Sequence, residues 1–159
     1  MSGPEPHTGG SPGQGTIRGP DVVDVDQLFD TTGLYALRAT LAAHASRLGA
    51  SDEEIERLVT VAGELATNAI HHGGGTGRMR LWHDDTALYL QVTDQGPGIA
   101  DQTVGTVPPT PTSTSGRGLW ICRNLSQRLI IGSGPRGRGA AVTATITSAI
   151  SPEAPSAPP

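Results

Sequence analysis

Two short groups of residues carry side chains or backbone suited to binding a phosphorylated ligand. Glu64 and Asn68 are four residues apart, so they lie on one side of any helix that contains them. Asp94 begins the turn Asp94-Gln95-Gly96-Pro97-Gly98, which follows a predicted strand. Such a turn places a carboxylate at a strand end and lets backbone approach a ligand closely. Each group alone is a weak signal, because exposed helix faces and Asx turns have the same composition.

A third group, Gly116-Arg117-Gly118-Leu119, stands at the predicted start of a helix. Unpaired N–H groups at a helix start favour phosphate binding, although glycines here also suit simple loop punctuation. Residues 95–115 separate the second group from the third and are dense in Gly, Pro, Thr and Ser. A loop of that length inside a compact domain is usually functional, which predicts a lid over a site.

The elements that would position these groups follow from apolar periodicity. Apolar residues three and four apart predict a helix over Leu34–Leu48. The pattern Ser51-Asp52-Glu53-Glu54 predicts a capping box that starts a long second helix, which should stop at Gly73-Gly74-Gly75. The long helix would carry Glu64 and Asn68 beside its apolar stripe, next to His71 and His72.

The rest of the chain favours strands and one further helix. Alternation of apolar and polar residues predicts a hairpin that turns at Asp84-Asp85. The predicted elements are strands Arg78–His83 and Ala87–Thr93, a helix Arg117–Arg128, and strands Leu129–Ile131 and Ala140–Ile150. Strands and helices do not alternate regularly, as they would in a doubly wound sheet. We therefore predict an α+β two-layer sandwich, with a largely antiparallel sheet and helices on one face.

Composition places the chain in the single-domain size class of 159 residues. Residues 1–20 and 151–159 are rich in Gly, Pro and Ser, which predicts disordered tails around one domain at 21–150. No apolar run is long enough to cross a bilayer, and no secretory signal precedes the domain. With a single cysteine, Cys122, no internal disulfide can form, so we expect a cytoplasmic protein.

All 11 basic residues are arginine, and lysine is absent. This excludes a Walker-type phosphate loop and a kinase of the eukaryotic type, because both need a lysine on the phosphates. Net charge is −4, yet residues 102–152 contain no Asp or Glu and five arginines: Arg117, Arg123, Arg128, Arg136 and Arg138. Such a region either faces phosphates or an acidic partner, or is merely solvated. Nucleic acid is not expected, since aromatic residues make up only 3%.

Taken in order, the three groups resemble those of the GHKL (Bergerat-fold) ATPases. Within that superfamily the chain is most similar to the anti-sigma factors that act as serine/threonine protein kinases. The resemblance spans roughly residues 28–146. It rests on Glu-Leu-Ala-Thr-Asn-Ala-Ile-His-His-Gly (64–73), Asp-Gln-Gly-Pro-Gly-Ile (94–99) and Gly-Arg-Gly-Leu-Trp (116–120).

The resemblance implies a role for each group. Asn68 would ligate the Mg²⁺ that bridges the phosphates of ATP, and Glu64 would orient or deprotonate the attacking hydroxyl. Asp94 would accept the exocyclic amine of adenine. The remaining implied contacts to the nucleotide come from the two glycine-containing groups: Gly96, Gly98, Ile99, Gly116, Gly118 and Leu119. Apart from the resemblance, we expect Arg117 to help neutralise the γ-phosphate.

The resemblance also implies partners: a sigma factor that the protein holds inactive, an anti-anti-sigma protein that it phosphorylates, and, in some relatives, a second copy of the chain. One departure is visible. Relatives commonly carry Gly-x-Thr-Val in the last strand, whereas Ala141 stands here in place of the threonine. This predicts weaker nucleotide binding, and we expect Thr143 to lie on the opposite strand face and not to compensate.

Two alternatives remain open at this point. One is a nucleotide-dependent binding module without phosphotransfer. The other is a fragment of a larger sensory protein, because Asp26-Gln27-Leu28-Phe29-Asp30 resembles a junction that follows sensor domains. The catalytic half of a histidine kinase is not expected, because too few residues precede Leu34 for a phospho-acceptor helix pair.

Overall fold

The computed structural model describes residues 20, 22–111, 116–148 and 150. Within them the chain forms five strands and three helices. In chain order these are β1 (Val25–Asp30), α1 (Leu34–Arg47), α2 (Asp52–His72), β2 (Thr76–His83), β3 (Ala87–Thr93), α3 (Arg117–Leu125), β4 (Arg128–Ser133) and β5 (Ala140–Thr147).

The five strands form one sheet in the order β1-β2-β3-β5-β4, and every neighbouring pair is antiparallel. Buried strand residues such as Met79, Leu81 and Leu90 point toward the helices and have no exposed surface. The three helices cover this face, with α2 packed across β2, β3 and β5. The predicted α+β sandwich with helices on one face is therefore confirmed.

The start of α2 is fixed by the predicted capping box. Ser51 Oγ accepts from the Glu54 N–H at 3.2 Å, and Glu54 Oε2 accepts from the Ser51 N–H at 2.7 Å. The same carboxylate oxygen also accepts from Ser148 Oγ at 2.8 Å, which ties the helix start to the end of β5. The helix that carries Glu64 and Asn68 is thus anchored at its start both locally and to the sheet.

Strand β1 was missed from the sequence. Its residues, including the stretch that resembles a sensor-domain junction, pair with β2 from Val25 opposite Leu81 to Asp30 opposite Thr76. Only Val25 and Phe29 of the strand are buried, because β1 lies at the sheet edge. A strand with two buried positions four residues apart lacks the alternation by which strands are recognised.

Other boundaries differ from expectation by a few residues, each because of pairing. β2 starts at Thr76 and not at Arg78, since β1 pairs with its first residues. α3 ends at Leu125, because the Gln127 N–H already donates to the Thr145 carbonyl and starts β4. β4 extends to Ser133, and β5 ends at Thr147, where Ser148 donates its N–H to Thr86 instead.

None of the helices in the described part of the chain has both the length and the apolar character required to span a bilayer.

Candidate functional site

A cavity of about 430 Å³ opens between α2, the sheet and the loop that precedes α3. Its polar lining comes from Asn68 and His72 on α2, Asp94 after β3, and Asp101 in the loop. Gly98, Ile99, Gly116 and Leu119 also line it. Six of the residues singled out from the sequence therefore meet around one space, although they come from three separate segments.

Asp94 is held in place by backbone groups from two directions. Its Oδ1 accepts from the Gly96 N–H at 2.9 Å and from the Ala140 N–H at 3.2 Å. Its own N–H donates to the Ala140 carbonyl at 3.0 Å, which extends the pairing of β3 with β5. The carboxylate thus has one oxygen occupied by the protein and a fixed orientation at the edge of the cavity.

Glu64 and Gly118 do not line this cavity but lie directly beside it. A Cβ atom placed on Gly118 would be 3.9 Å from Asn68 Oδ1 and in closer contact with Glu64. The first turn of α3 therefore approaches the middle of α2 at the position of these two side chains. A carboxylate and an amide oxygen at the mouth of a cavity form the kind of oxygen donor set that suits Mg²⁺.

The start of α3 presents backbone donors toward the same region. Gly116 precedes the helix with φ 84°, a left-handed conformation that favours glycine, and the Arg117 side chain next to it is exposed. The N–H groups of the first helical turn have no partner within the helix, and the helix dipole adds partial positive charge. This end of the cavity can bind phosphate oxygens without a lysine.

The loop before α3 is fastened to that helix by Arg123. Its Nε donates to the Val104 carbonyl at 2.9 Å, and its Nη2 donates to the Gln102 carbonyl at 2.7 Å. Gly105 packs directly on the backbone of Leu119 and Trp120. The first part of the predicted lid is therefore ordered against α3, while residues 112–115 of the expected lid lie outside the described residues.

The composition suggested that the arginines of residues 102–152 either face phosphates or an acidic partner or are solvated. Arg123 does neither, because its guanidinium binds backbone carbonyls of its own chain. No sequence signal distinguished it from the other arginines of the acid-free region, because the contact depends on how the loop folds back. Arg128, Arg136 and Arg138 are exposed and lie away from the cavity.

The sequence places the missing threonine hydroxyl at Ala141, but the structure shows that a different residue of β5 faces the cavity. Ala140 and Val142 line the cavity, and Ala141 does not. Ala141 and Thr143 are two residues apart on β5, so they share a face, and Thr143 Oγ1 accepts from Gln91 Nε2 at 3.1 Å on that other face. The expectation that these two residues lie on opposite faces was wrong. The cavity-facing position is Ala140, which also lacks a hydroxyl.

The apolar walls of the cavity were not singled out from the sequence. They consist of Leu65 and Ala69 on α2, Val92 on β3, Val104 in the loop, and Ala140 and Val142 on β5. These residues read as ordinary core positions because their periodicity faces the helix–sheet interface. An apolar slot with one fixed carboxylate at its edge suits a flat heterocycle that offers an amine donor.

Cys122 lies under the site, fully buried in the core. Burial, with the nearby Glu64 carboxylate as a second cause, raises the pKa of its thiol to about 12. The thiol is therefore neutral at physiological pH and is no nucleophile. Elsewhere in the described ranges there is no group of three or more His, Cys, Asp or Glu side chains arranged to hold a metal ion.

Comparisons with known proteins agree with this geometry. Residues 29–146 match the family model of the histidine kinase-like ATPase domain. The anti-sigma F factor of Bacillus licheniformis is 33% identical over 107 residues, which cover 62% of this chain and 73% of that protein. The anti-sigma F factor of Geobacillus stearothermophilus is 32% identical over 60% of this chain and 72% of that protein.

Among solved structures, a chain of the SiaB–SiaC complex from Pseudomonas aeruginosa superimposes with a TM-score of 0.58. The match covers 78% of this chain and 91% of that chain at 12% sequence identity, so it shows a shared fold.

Proposed function

The chain belongs to the histidine kinase-like ATPase family, and we propose that it is an ATP-binding anti-sigma factor that phosphorylates an anti-anti-sigma protein on serine or threonine. The observation that carries this proposal is the position of Glu64 beside Gly118 and Asn68, next to a cavity that Asn68 and Asp94 both line. In this proposal a single bound nucleotide meets the general base Glu64, the metal ligand Asn68 and the adenine-binding carboxylate of Asp94.

Each residue has one task in the proposed reaction. The Oδ2 atom of Asp94, which has no backbone partner among the described residues, accepts a hydrogen bond from the exocyclic amine of adenine. The α3 N-terminus at Gly116 and Gly118 holds the phosphates, and Arg117 adds positive charge as the lid closes. Asn68 would hold Mg²⁺, which neutralises charge on the phosphates when bound.

Glu64 acts on the partner's hydroxyl group. It orients the Ser or Thr oxygen and takes its proton as that oxygen bonds to the γ-phosphorus; the bond to the β,γ-bridging oxygen breaks and ADP leaves. A positioned general base contributes about 10²–10⁴-fold to such a step. Transfer otherwise requires positioning and charge neutralisation, which the remaining residues supply.

The proposed regulation involves two protein partners in the cytoplasm. The chain sequesters a sigma factor, and phosphorylation of the anti-anti-sigma protein ends that protein's competition for the same chain. The identity of the relatives as anti-sigma F factors supports this assignment.

The proposal is tested by separating binding from transfer. Purified wild type, Asn68→Ala and Glu64→Gln are titrated with ATP and Mg²⁺ in a thermal-shift assay, then incubated with radiolabelled ATP and candidate anti-anti-sigma proteins from the same organism. We expect wild type to be stabilised and to label the partner, Glu64→Gln to be stabilised without labelling, and Asn68→Ala to lose both.

Two outcomes would contradict the proposal in different ways. A wild type that is not stabilised at millimolar ATP contradicts nucleotide binding itself. Equal stabilisation of wild type and Glu64→Gln, with no labelling of the partner by either protein, favours the second candidate function, a nucleotide-dependent binding module. The absence of a hydroxyl at Ala140 is the observation that keeps this second candidate in view.

A further inference from the structure

A second, larger depression lies on the other side of Asp94 from the nucleotide cavity. It encloses about 1100 Å³ and runs from the end of β1, across the ends of β2 and β3, to the turn between β4 and β5. We call it the arginine groove and define it by Arg78, Arg136 and Arg138, with Leu28 and Asp30 at its β1 end. None of these residues has a task in the proposed phosphotransfer.

Of the three arginines of the groove, one is already paired with a carboxylate. Arg78 binds Asp26 through two hydrogen bonds, Nε to Oδ1 at 2.7 Å and Nη2 to Oδ2 at 2.5 Å. Arg136 and Arg138 are exposed, and across the described ranges no acceptor is found for either guanidinium. Two of the three positive charges are therefore available to a ligand.

The groove also contains two carboxylates, Asp30 and Asp94, and one oxygen of each accepts hydrogen bonds from nearby groups. Asp30 Oδ1 accepts from the N–H and the hydroxyl of Thr32 at 2.9 and 2.7 Å. These bonds hold the pKa of Asp30 below its usual value. The carboxylate of Asp94 accepts from backbone N–H groups as described above. In the described part of the chain neither acid forms an ion pair with Arg136 or Arg138, which lie at the opposite end of the groove from Asp30.

Arg136 has an unusual backbone conformation. Its φ of 60° is the only positive φ of a non-glycine residue among those described. Left-handed backbone is costly for a residue with a long side chain, and glycine or asparagine would adopt it more readily. A strained residue that carries a free charge is a reason to look for a binding role at this turn.

We propose that the arginine groove binds an extended, acidic segment of a protein partner. Carboxylates of that segment pair with Arg136 and Arg138, and an apolar side chain packs on Leu28, which is 78% exposed. A peptide fits better than nucleic acid, because the apolar Leu28 and the negative Asp30 at the β1 end suit a mixed chain and repel a phosphate backbone.

This interaction does not depend on phosphotransfer, so it is tested without nucleotide. The probe is a fluorescein-labelled peptide, Asp-Glu-Leu-Asp-Glu-Leu, compared with Asn-Gln-Leu-Asn-Gln-Leu and with labelled oligothymidylate, by fluorescence anisotropy on the full chain. The test variant is Arg136→Asn/Arg138→Gln, in which asparagine tolerates the left-handed backbone. The matched control is Arg47→Gln/Arg128→Gln, which removes the same charge from exposed positions on α1 and β4.

We expect the acidic peptide to bind wild type and the control variant alike, and the test variant about tenfold more weakly, with binding reduced by salt. Each single substitution should give part of that loss, and ATP-induced stabilisation should persist in all variants as evidence of folding. Equal affinity of test and control variants, equal binding of the amide peptide, or no binding at millimolar peptide would each overturn the proposal. Preferential binding of oligothymidylate would overturn it in favour of nucleic acid.

Discussion

Gly118 on α3 faces Glu64 on α2 so closely that a methyl group on Gly118 would lie 2.9 Å from Glu64 Oε2. No side chain can be accommodated there without moving the carboxylate. The atom in the way is the end of a flexible side chain, so the helices need not separate. The lack of a side chain at Gly118 therefore allows the Glu64 carboxylate, the proposed general base, to keep its position.

The first prediction is that Gly118→Ala lowers phosphotransfer without unfolding the protein. The added methyl group turns the Glu64 carboxylate away from the partner's hydroxyl, and misplacement of a reacting group by about 1 Å typically costs about 10²-fold in rate. Single-turnover transfer of radiolabelled phosphate measures the effect, and thermal unfolding checks the fold.

The control for that experiment is Gly132→Ala on β4. A methyl group there would meet only the Ala141 carbonyl oxygen, at an ordinary 3.9 Å, so both rate and stability should stay close to wild type. Transfer at the wild-type rate by Gly118→Ala would contradict the role given to Glu64.

The second prediction concerns the missing hydroxyl. Ala140→Thr should increase ATP affinity, because it adds a hydrogen-bonding group to the wall of the cavity next to Asp94. One neutral hydrogen bond contributes about 0.5–1.5 kcal/mol, which corresponds to about 2- to 10-fold in affinity. Isothermal titration calorimetry measures the change.

Ala141→Thr is the matched control, since it adds the same atoms to the opposite face of the same strand. It should leave ATP affinity unchanged. If Ala141→Thr strengthens binding and Ala140→Thr does not, the assignment of the two strand faces is wrong.

The third prediction is that Arg123→Met loosens the lid. The substitution removes both hydrogen bonds from the guanidinium to the carbonyls of Gln102 and Val104, while it retains most of the apolar stem. Thermolysin should then cleave near Val104 faster, and ATP should bind several-fold more weakly, because the lid must be ordered on binding.

Arg128→Met serves as control, because Arg128 is exposed on β4 and, in the described part of the chain, makes no ion pair. Cleavage and ATP affinity should match wild type. Similar cleavage of Arg123→Met and Arg128→Met would show that the lid is held by other contacts.

The fourth prediction follows from Cys122. Because the pKa of the thiol is raised to about 12, the folded protein should not react with Ellman's reagent at pH 8, whereas the urea-unfolded chain should react with one equivalent. Rapid modification of the native protein would show that the core opens easily around α3.

The same thiol makes stability depend on alkaline pH. Above the pKa of about 9.0 expected for the exposed thiol, the unfolded chain releases a proton that the folded chain retains up to about pH 12. The unfolded state then binds fewer protons, so the free energy of unfolding falls as pH rises through this window. Urea unfolding at pH 8 and pH 10.5 should show a smaller decrease for Cys122→Ala than for wild type.

Much of the fold was readable from the sequence where local chemistry and periodicity agree. The capping box at Ser51 and Glu54 and the stripe that follows predicted α2, and the alternation of β3 predicted its bounds. Prediction and structure agree here because the helix and the central strand each bury one face. Burial and local propensity then favour the same residues.

The edge strand and the ends of α3 and β5 were less readable. β1 buries only Val25 and Phe29, so its structure depends on pairing with β2 more than on its own side chains. The ends of α3 and β5 are set by hydrogen bonds from the N–H groups of Gln127 and Ser148 to the carbonyls of Thr145 and Thr86, which are far away in the sequence. Such partners have no signature in the local sequence.

The sequence by itself determined which chemical groups are present: a helical Glu64 and Asn68, a strand-end Asp94, and glycines at the start of α3, in an order that resembles one ATPase family. Only the tertiary structure decided that Ala140 and not Ala141 faces the cavity, that Arg123 holds the lid, and that Arg136 and Arg138 border a separate groove. The physical reason is that residue type and spacing follow from local covalent geometry, whereas facing and pairing depend on contacts between segments far apart in the chain.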